Sequence, residues 1–147
     1  MKKIIVTGGL GFIGSNLIEL LLKKNFYIIN IDKGTYSSNF YNTKDFKKSK
    51  KYKFIKLDIA NIKIRKIFMK YKPSAIFNLA AETHVDRSID NPGNFIQSNI
   101  VGVYNLLESF KDFSKKNKSK FIHISTDEVY GDVLKGRTSE TYPYQPS

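Results

Sequence analysis

The four consecutive polar residues Ser125-Thr126-Asp127-Glu128 combine two hydroxyls with two carboxylates after the last apolar run of the chain. Two carboxyl groups in a partly dry cleft can differ in protonation state, so that one acts as a base and the other as an acid. An elimination reaction requires this chemistry. Because successive strand residues point to opposite faces, both acids can serve one site only if the strand ends or bends at Asp127. The alternative is that these side chains only cap a strand end.

A second informative run, Thr7 to Gly14, contains glycines at Gly8, Gly9, Gly11 and Gly14. Glycine lets a backbone turn sharply and approach a bulky anion without a Cβ in the way. The spacing Gly9-x-Gly11-x-x-Gly14 is common by chance, but between a strand and a helix it predicts the pyrophosphate site of a dinucleotide. An ordinary glycine-rich turn is the alternative.

Two aspartates follow apolar runs at places where the adenosine of a dinucleotide would lie. Asp32 comes about 20 residues after the glycines, where a carboxylate accepts the ribose hydroxyls and repels a 2′-phosphate. It therefore favours NAD over NADP, although the adjacent Lys33 weakens that preference. Asp58 could accept the adenine amino group while Ile59 covers the ring. Aspartates that only capped turns would look the same.

Small residues follow the fourth apolar run, in Asn78-Leu79-Ala80-Ala81-Glu82-Thr83. They leave room for a nicotinamide ribose against the backbone, although close packing of a strand end against a helix is an equal alternative. His84 could hydrogen-bond a substrate, but it is predicted to be a surface loop residue. His123 alternates with apolar neighbours and is predicted to be a core residue.

Regularly alternating strands and helices are predicted to position these residues. The predicted strands are Lys3–Thr7, Tyr27–Asp32, Lys53–Asp58, Ala75–Leu79 and Lys120–Ser125. The predicted helices are Phe12–Lys24, Ile62–Tyr71 and Asn94–Lys116, with Asn91 as the cap of the third and Pro92 in its first turn. This order predicts an α/β fold with a doubly wound parallel (Rossmann) sheet, incomplete at the C-terminus and exposed there along a face or edge.

The composition is that of one globular domain, residues 1–147, with 41% hydrophobic and 14% aromatic residues. The net charge of +12 comes mostly from lysine, densest from Lys44 to Lys56, which is typical of a solvated surface. We therefore expect no nucleic-acid partner. A long apolar segment and cysteine ligands are both absent from the sequence, so neither a membrane nor a metal partner is expected. Cysteine is absent, which excludes a disulfide framework and a thiolate nucleophile, and no apolar leader is visible, so a cytoplasmic location is predicted.

Together the motifs resemble the dTDP-glucose 4,6-dehydratases, a family of extended short-chain dehydrogenase/reductases, over the whole chain. The glycine run is shared by the superfamily, whereas Thr126-Asp127-Glu128 and the loop from Glu82 to Ser88 are more specific to these dehydratases. The motifs that carry the resemblance are Thr7 to Gly14, Asp32 to Tyr36, Asp58-Ile59, Asn78 to Ser88 and Ser125 to Gly131.

The resemblance implies NAD-dependent dehydration of dTDP-glucose to dTDP-4-keto-6-deoxy-glucose, a step of deoxysugar biosynthesis as in the rhamnose pathway. NAD⁺ takes a hydride from C4, water leaves across C5 and C6, and the hydride returns to C6. A ketone at C4 acidifies the C5 hydrogen, which explains the need for a redox cofactor. Glu128 would remove the C5 proton and Asp127 would protonate the leaving hydroxyl. Thr126 would hydrogen-bond the C4 oxygen, and Thr83 would touch the sugar.

The resemblance also implies a set of cofactor contacts. Gly8, Gly11, Phe12, Ile13 and Gly14 would lie at the pyrophosphate, with Phe12 and Ile13 contacting it through their amides. Asp32, Lys33, Gly34 and Thr35 would lie at the adenosine, and Asp58 and Ile59 at the adenine. Leu79, Ala80, Ala81, Glu82, Thr83 and Ser98 would lie at the nicotinamide half.

One departure from the family pattern is the Tyr-x-x-x-Lys pair, since neither Tyr142 nor Tyr144 has a lysine four residues on. We expect the pair just beyond Ser147, which would make this chain the N-terminal part of the enzyme, inactive alone and without the substrate-binding portion. A homodimer is expected at full length. The alternatives are a non-catalytic NAD-binding module and another nucleotide-sugar epimerase or dehydratase of the superfamily. A further alternative, a basic nucleic-acid-binding domain, is suggested only by the net charge. The sequence lacks the clustered Arg-aromatic motif that would support it.

Overall fold

The sheet of this protein contains five parallel strands, as the computed structural model describes it for residues 1–133 and 135–146. The strands are β1 (Lys3–Thr7), β2 (Tyr27–Asp32), β3 (Tyr52–Lys56), β4 (Ala75–Asn78) and β5 (Lys120–His123). Their spatial order is β3-β2-β1-β4-β5, so the order reverses beside β1. The prediction of a doubly wound parallel sheet is therefore confirmed.

Helices connect three of the four pairs of successive strands in the described part of the chain, and a segment with a 3₁₀ turn connects β2 to β3, so that all the strands can pair in parallel. The helices are α1 (Phe12–Lys23), α2 (Lys63–Tyr71), α3 (Val85–Asp90), α4 (Pro92–Phe95) and α5 (Val103–Ser114). A π-helical segment, Ile96–Gly102, joins α4 to α5, and 3₁₀ turns lie at Phe40–Thr43 and Asp127–Tyr130.

Each face of the sheet carries its own apolar core, because neighbouring residues of a strand point to opposite sides. On one face Ile5 packs with Phe68 of α2 and Phe113 of α5. On the other face Ile4 packs with Ile18 of α1. The β1 strand is thus buried on both sides, which explains why its sequence is a continuous apolar run rather than an alternating one.

The structure differs from the predicted elements mainly at their ends. Three predicted strands extend one or two residues too far, because Leu57, Leu79 and Ile124 continue the apolar runs beyond the strands. The third predicted helix begins at Pro92 and is divided by the π-helical segment, and α3 was not predicted. Asn91 precedes that helix but makes no side-chain capping bond.

The β5 strand pairs only with β4 and forms one edge of the described sheet. His123, at its end, is exposed, so the prediction that it is a core residue is wrong. Its alternation with apolar neighbours indicated burial, but an edge strand leaves such a position open. Its Nδ1 lies 3.0 Å from the side-chain nitrogen of Asn78.

Candidate cofactor and active site

A cleft of about 790 Å³ lies at the carboxyl ends of the strands, beside the reversal of strand order at β1. Ligands of doubly wound sheets bind at this position. The cleft is lined by predicted site residues from every strand end: Gly8, Gly11, Phe12, Ile13, Gly14, Asp32, Lys33, Thr35, Asp58, Ile59, Leu79, Ala80, Ala81, Glu82, Thr83, Ser98, Thr126 and Glu128.

The glycine run forms the turn between β1 and α1. A Cβ at Gly14 would collide with the carbonyl oxygen of Gly8 and lie 2.8 Å from the Cα of Gly9, so the helix can start this close to the turn only with glycine. Gly11 differs, because a Cβ there would meet only the Gly8 oxygen, at 3.4 Å. Protein packing therefore requires the glycine at 14, whereas the bare backbone at Gly11 leaves space in the cleft for a ligand.

The N-terminus of α1 opens into the same cleft. Phe12 and Ile13 begin the helix, and both side chains are mostly exposed although they are large and apolar. The first amides of a helix have no partner within it and carry a partial positive charge. This end of the cleft can therefore receive an anion from the backbone, with apolar side chains beside it.

Asp32 is buried, and its carboxylate accepts three hydrogen bonds from the protein. The Leu10 amide donates to Oδ2 at 3.0 Å, while the Gly34 amide and the Ser38 hydroxyl donate to Oδ1 at 2.8 and 2.9 Å. Asp58 likewise accepts from the Ala60 amide at 2.8 Å. Both aspartates therefore cap turns and also line the cleft, so the two interpretations of these residues hold together.

Lys33 lies in the cleft among groups from three other segments. Its Nζ donates to the Ser98 hydroxyl at 2.6 Å, lies 3.3 Å from Oε1 of Glu82 and lies 3.9 Å from Oδ2 of Asp58. The described residues that line the cleft include four carboxylates and one lysine or arginine, which is Lys33. Its ammonium lies within 4 Å of two of these carboxylates, those of Glu82 and Asp58.

The loop after β4 is held to the π-helical segment by Asn99. The side-chain oxygen of Asn99 accepts from the Glu82 amide at 2.9 Å, and its side-chain nitrogen donates to the Glu82 carbonyl at 2.8 Å. This pair of bonds replaces the strand partner that the loop lacks. Thr7 ties the preceding strand end to β1, since its hydroxyl donates to Oδ1 of Asn78 at 2.5 Å.

The acidic run after β5 does not continue the strand. The strand ends at His123, and Asp127 begins a 3₁₀ turn whose cap is Thr126. Thr126 accepts from the Glu128 amide at 3.3 Å, and its hydroxyl lies 3.4 Å from Oδ1 of Asp127. The break in the strand meets the condition under which both acids can serve one site. Thr126 and Glu128 line the cleft directly.

Two predicted site residues, Gly34 and Asp127, lie next to cleft residues but do not line the cleft itself. The cleft also contains residues that sequence reasoning missed. These are Ile31, Ser37, Ser38, Leu57, Asn99, Val103, His123 and Ile124. Ser125, which belongs to the polar run identified in the sequence, also lines the cleft. The apolar run past each strand end could have identified Leu57 and Ile124, while nothing in the sequence marks Asn99 or Val103. His84 is exposed, as predicted for a surface loop residue, and lies at the start of α3.

Comparison with known proteins places this architecture in a family. A family model described as GDP-mannose 4,6 dehydratase matches residues 5–147. The chain belongs to that family. Within the GDP-mannose 4,6 dehydratase family, the chain is 46% identical to dTDP-glucose 4,6-dehydratase of Haemophilus influenzae, over all of this chain and 46% of that relative.

Solved structures match the chain over its whole length. A Bacillus anthracis dTDP-glucose 4,6-dehydratase in complex with NAD matches with a TM-score of 0.86 and 36% identity, covering 100% of this chain and 45% of that one. The UDP-Glc/GlcNAc 4-epimerase of Campylobacter jejuni matches with a TM-score of 0.88 and 29% identity, covering 100% and 44%. The chain thus spans less than half the length of the relatives it matches.

Helices long and apolar enough to cross a bilayer do not occur within residues 1–133 and 135–146. The cytoplasmic location inferred from the sequence stays a prediction.

Proposed function

We propose that this chain is the cofactor-binding part of an NAD-dependent dTDP-glucose 4,6-dehydratase. The single observation that carries the proposal is that one cleft holds the glycine turn, the buried Asp32 and the Thr126-Glu128 pair. In the reaction implied by the resemblance, a bound NAD would supply the hydride acceptor and donor. The similarity to the Haemophilus influenzae dehydratase supports the choice of substrate.

The cleft residues fit a dinucleotide along its length. The start of α1 and the bare backbone at Gly11 suit the pyrophosphate, which needs amide donors because the cleft holds more carboxylates than cations. Asp32 and Asp58 suit the adenosine, with Ile59 against the base. Ala80 and Thr83 suit the nicotinamide half.

The residues after β5 supply the proposed acid and base. Glu128 lines the cleft and is assigned as the base that removes the C5 proton. Asp127 stands beside Thr126 and is assigned as the acid that protonates the departing C6 hydroxyl. Thr126, capping the same turn, would hold the C4 oxygen together with Thr83 on the sugar. Asp127 lies between Thr126 and Glu128 in the sequence, and both of these residues line the cleft.

The experiment that tests the proposal uses the full-length protein. Incubation with dTDP-glucose and NAD⁺ is expected to yield the 4-keto-6-deoxy sugar with no net reduction of NAD⁺. The 147-residue chain alone is expected to bind NAD and to produce no ketosugar, because the substrate-binding portion and the Tyr-x-x-x-Lys pair are proposed to lie outside it. Turnover by the chain alone would contradict this division.

Two other functions use the same fold. A non-catalytic NAD-binding module predicts NAD binding without turnover even at full length. A UDP-sugar 4-epimerase, to which the fold is also similar, predicts inversion at C4 without loss of water. Product analysis with dTDP-glucose and UDP-glucose separates the three, and the Asp127-Glu128 pair favours elimination.

We also infer that the full-length protein is a homodimer. Ile96, Ile100, Tyr104 and Leu107 follow one another at helical spacing and are between 46% and 65% exposed. An exposed apolar stripe of this kind marks an interaction surface. Ile100→Asp is expected to convert the dimer into monomers by sedimentation equilibrium, whereas Lys66→Asp, on the exposed side of α2, should leave the mass unchanged.

A further inference from the structure

The side chain of Lys33 links parts of the site that are far apart in the sequence. It starts beside Asp32, where adenosine is proposed to bind, and its ammonium reaches Glu82 in the loop after β4. The Glu82 side chain is only 7% exposed, whereas that of Lys33 is 30% exposed. A carboxylate buried to this degree requires a cation or several donors. Among the described ion pairs, Lys33 is the cation that Glu82 has.

The loop that contains Glu82 forms the other end of the cleft. Ala81 and Thr83 flank Glu82, and both line the cleft. Asn99 fixes the Glu82 backbone, while Lys33 fixes the Glu82 side chain. Without Lys33, the carboxylate would have to turn toward water, which would disturb the two bonds from Asn99 to the Glu82 backbone and displace Ala81 and Thr83.

We propose that Lys33 positions the loop that receives the nicotinamide half of the dinucleotide, acting through Glu82 rather than by contact with that half. The inference rests on the proposed binding of NAD. Lys33 is a positioning residue, which connects the adenosine end of the cleft to its reactive end. Its neighbour Ser98 supports this role, because the Ser98 hydroxyl holds the ammonium in place at 2.6 Å.

The test compares two ligands on the full-length protein by isothermal titration calorimetry. ADP-ribose keeps the adenosine and pyrophosphate of NAD but lacks nicotinamide. Lys33→Met is expected to weaken NAD binding about tenfold, the usual effect of losing a hydrogen-bonded charge, and ADP-ribose binding less than about threefold. Equal weakening of both ligands would indicate direct contact with adenosine and would overturn the inference.

A second variant removes the buried charge together with the lysine. In Lys33→Met/Glu82→Gln the side chain at 82 is neutral and needs no cation, so NAD affinity is expected to return to within about threefold of wild type. A double variant as weak as Lys33→Met would overturn the inference. Lys66→Met, an exposed lysine on α2, is the matched control and should change neither ligand. If the wild type binds neither ligand, the proposed cofactor itself is wrong.

Discussion

Replacing Asp32 with alanine separates its structural role from its proposed role in cofactor binding. The carboxylate accepts from the Leu10 amide, the Gly34 amide and the Ser38 hydroxyl. These bonds hold the start of the loop after β2 against the glycine turn. We therefore expect Asp32→Ala to destabilise the fold even when no cofactor is present.

The environments of the three donors set the size of the effect. Leu10 is fully buried, so its amide is left without any partner, at a cost of about 1–3 kcal/mol. Gly34 is exposed and Ser38 is half-buried, so water replaces the carboxylate and each loss costs about 0.5 kcal/mol. The free energy of unfolding should fall by about 2–4 kcal/mol. Asp32→Asn keeps one side-chain oxygen and should lose about half as much.

Urea unfolding followed by circular dichroism measures this effect, with NAD titration of each variant in parallel. Asp45→Ala is the control, because Asp45 is an exposed acid of the following segment and should change stability by less than about 0.5 kcal/mol. If the free energy of unfolding of Asp32→Ala lies within about 0.5 kcal/mol of the wild-type value, the three hydrogen bonds do not stabilise the fold as argued. Normal NAD affinity in a folded Asp32→Asn protein would remove Asp32 from the cofactor site.

Three further predictions concern the turn, the chemistry and pH. Gly14→Ala should lower both thermal stability and NAD affinity because its Cβ would collide with the backbone of Gly8 and Gly9. Gly11→Ala should lower only NAD affinity. Equal losses of stability for the two variants in a thermal melt would refute the distinction. Glu128→Gln in the full-length enzyme should abolish elimination and retain NAD binding, and normal turnover would disprove its role as the base. Burial raises the pKa of the Tyr52 hydroxyl, so above pH about 10 the unfolded state loses this proton first and the free energy of unfolding falls as pH rises. Tyr52→Phe should make that fall shallower in urea titrations, and at neutral pH it should cost about 1–3 kcal/mol because the Asn30 side-chain nitrogen loses its acceptor.

The sequence predicts the sheet well because its apolar runs are long and rich in isoleucine. It places strand ends less well for a physical reason. Leu57, Leu79 and Ile124 follow the strand ends and line the cleft, and Leu57 and Leu79 also pack against the apolar cores, so a pattern of hydrophobicity does not distinguish them from strand residues. The prediction for His123 is wrong in the opposite direction, because it assigned burial to an exposed residue. The alternation of His123 with apolar residues fits a core position, but its strand lies at an edge of the sheet.

Sequence motifs identify the cleft residues whose order along the chain is set by the parts of the ligand that they are expected to contact. Contacts between side chains that are distant in the sequence cannot be identified in this way. Lys33 and Ser98 are 65 residues apart and meet only through the packing of a helix on the sheet. Neither residue belongs to a pattern that indicates the other. The same is true of Asn99, which binds the backbone of Glu82 and not its side chain.

The π-helical segment sets the rotation about the helix axis between the part of the helix before it and α5 after it. Within it, Ser98 and Asn99 face the cleft, while after it Leu106 and Phe113 face the apolar core. Deleting one residue from Ile96–Gly102 would turn the preceding part by about 100° relative to α5. Ser98 and Asn99 would then leave the cleft. The length of this segment therefore keeps Ser98 and Asn99 at the cleft while it keeps Gly102 against Ile59 of the apolar core, where a Cβ at 102 would lie 2.7 Å from the Ile59 side chain.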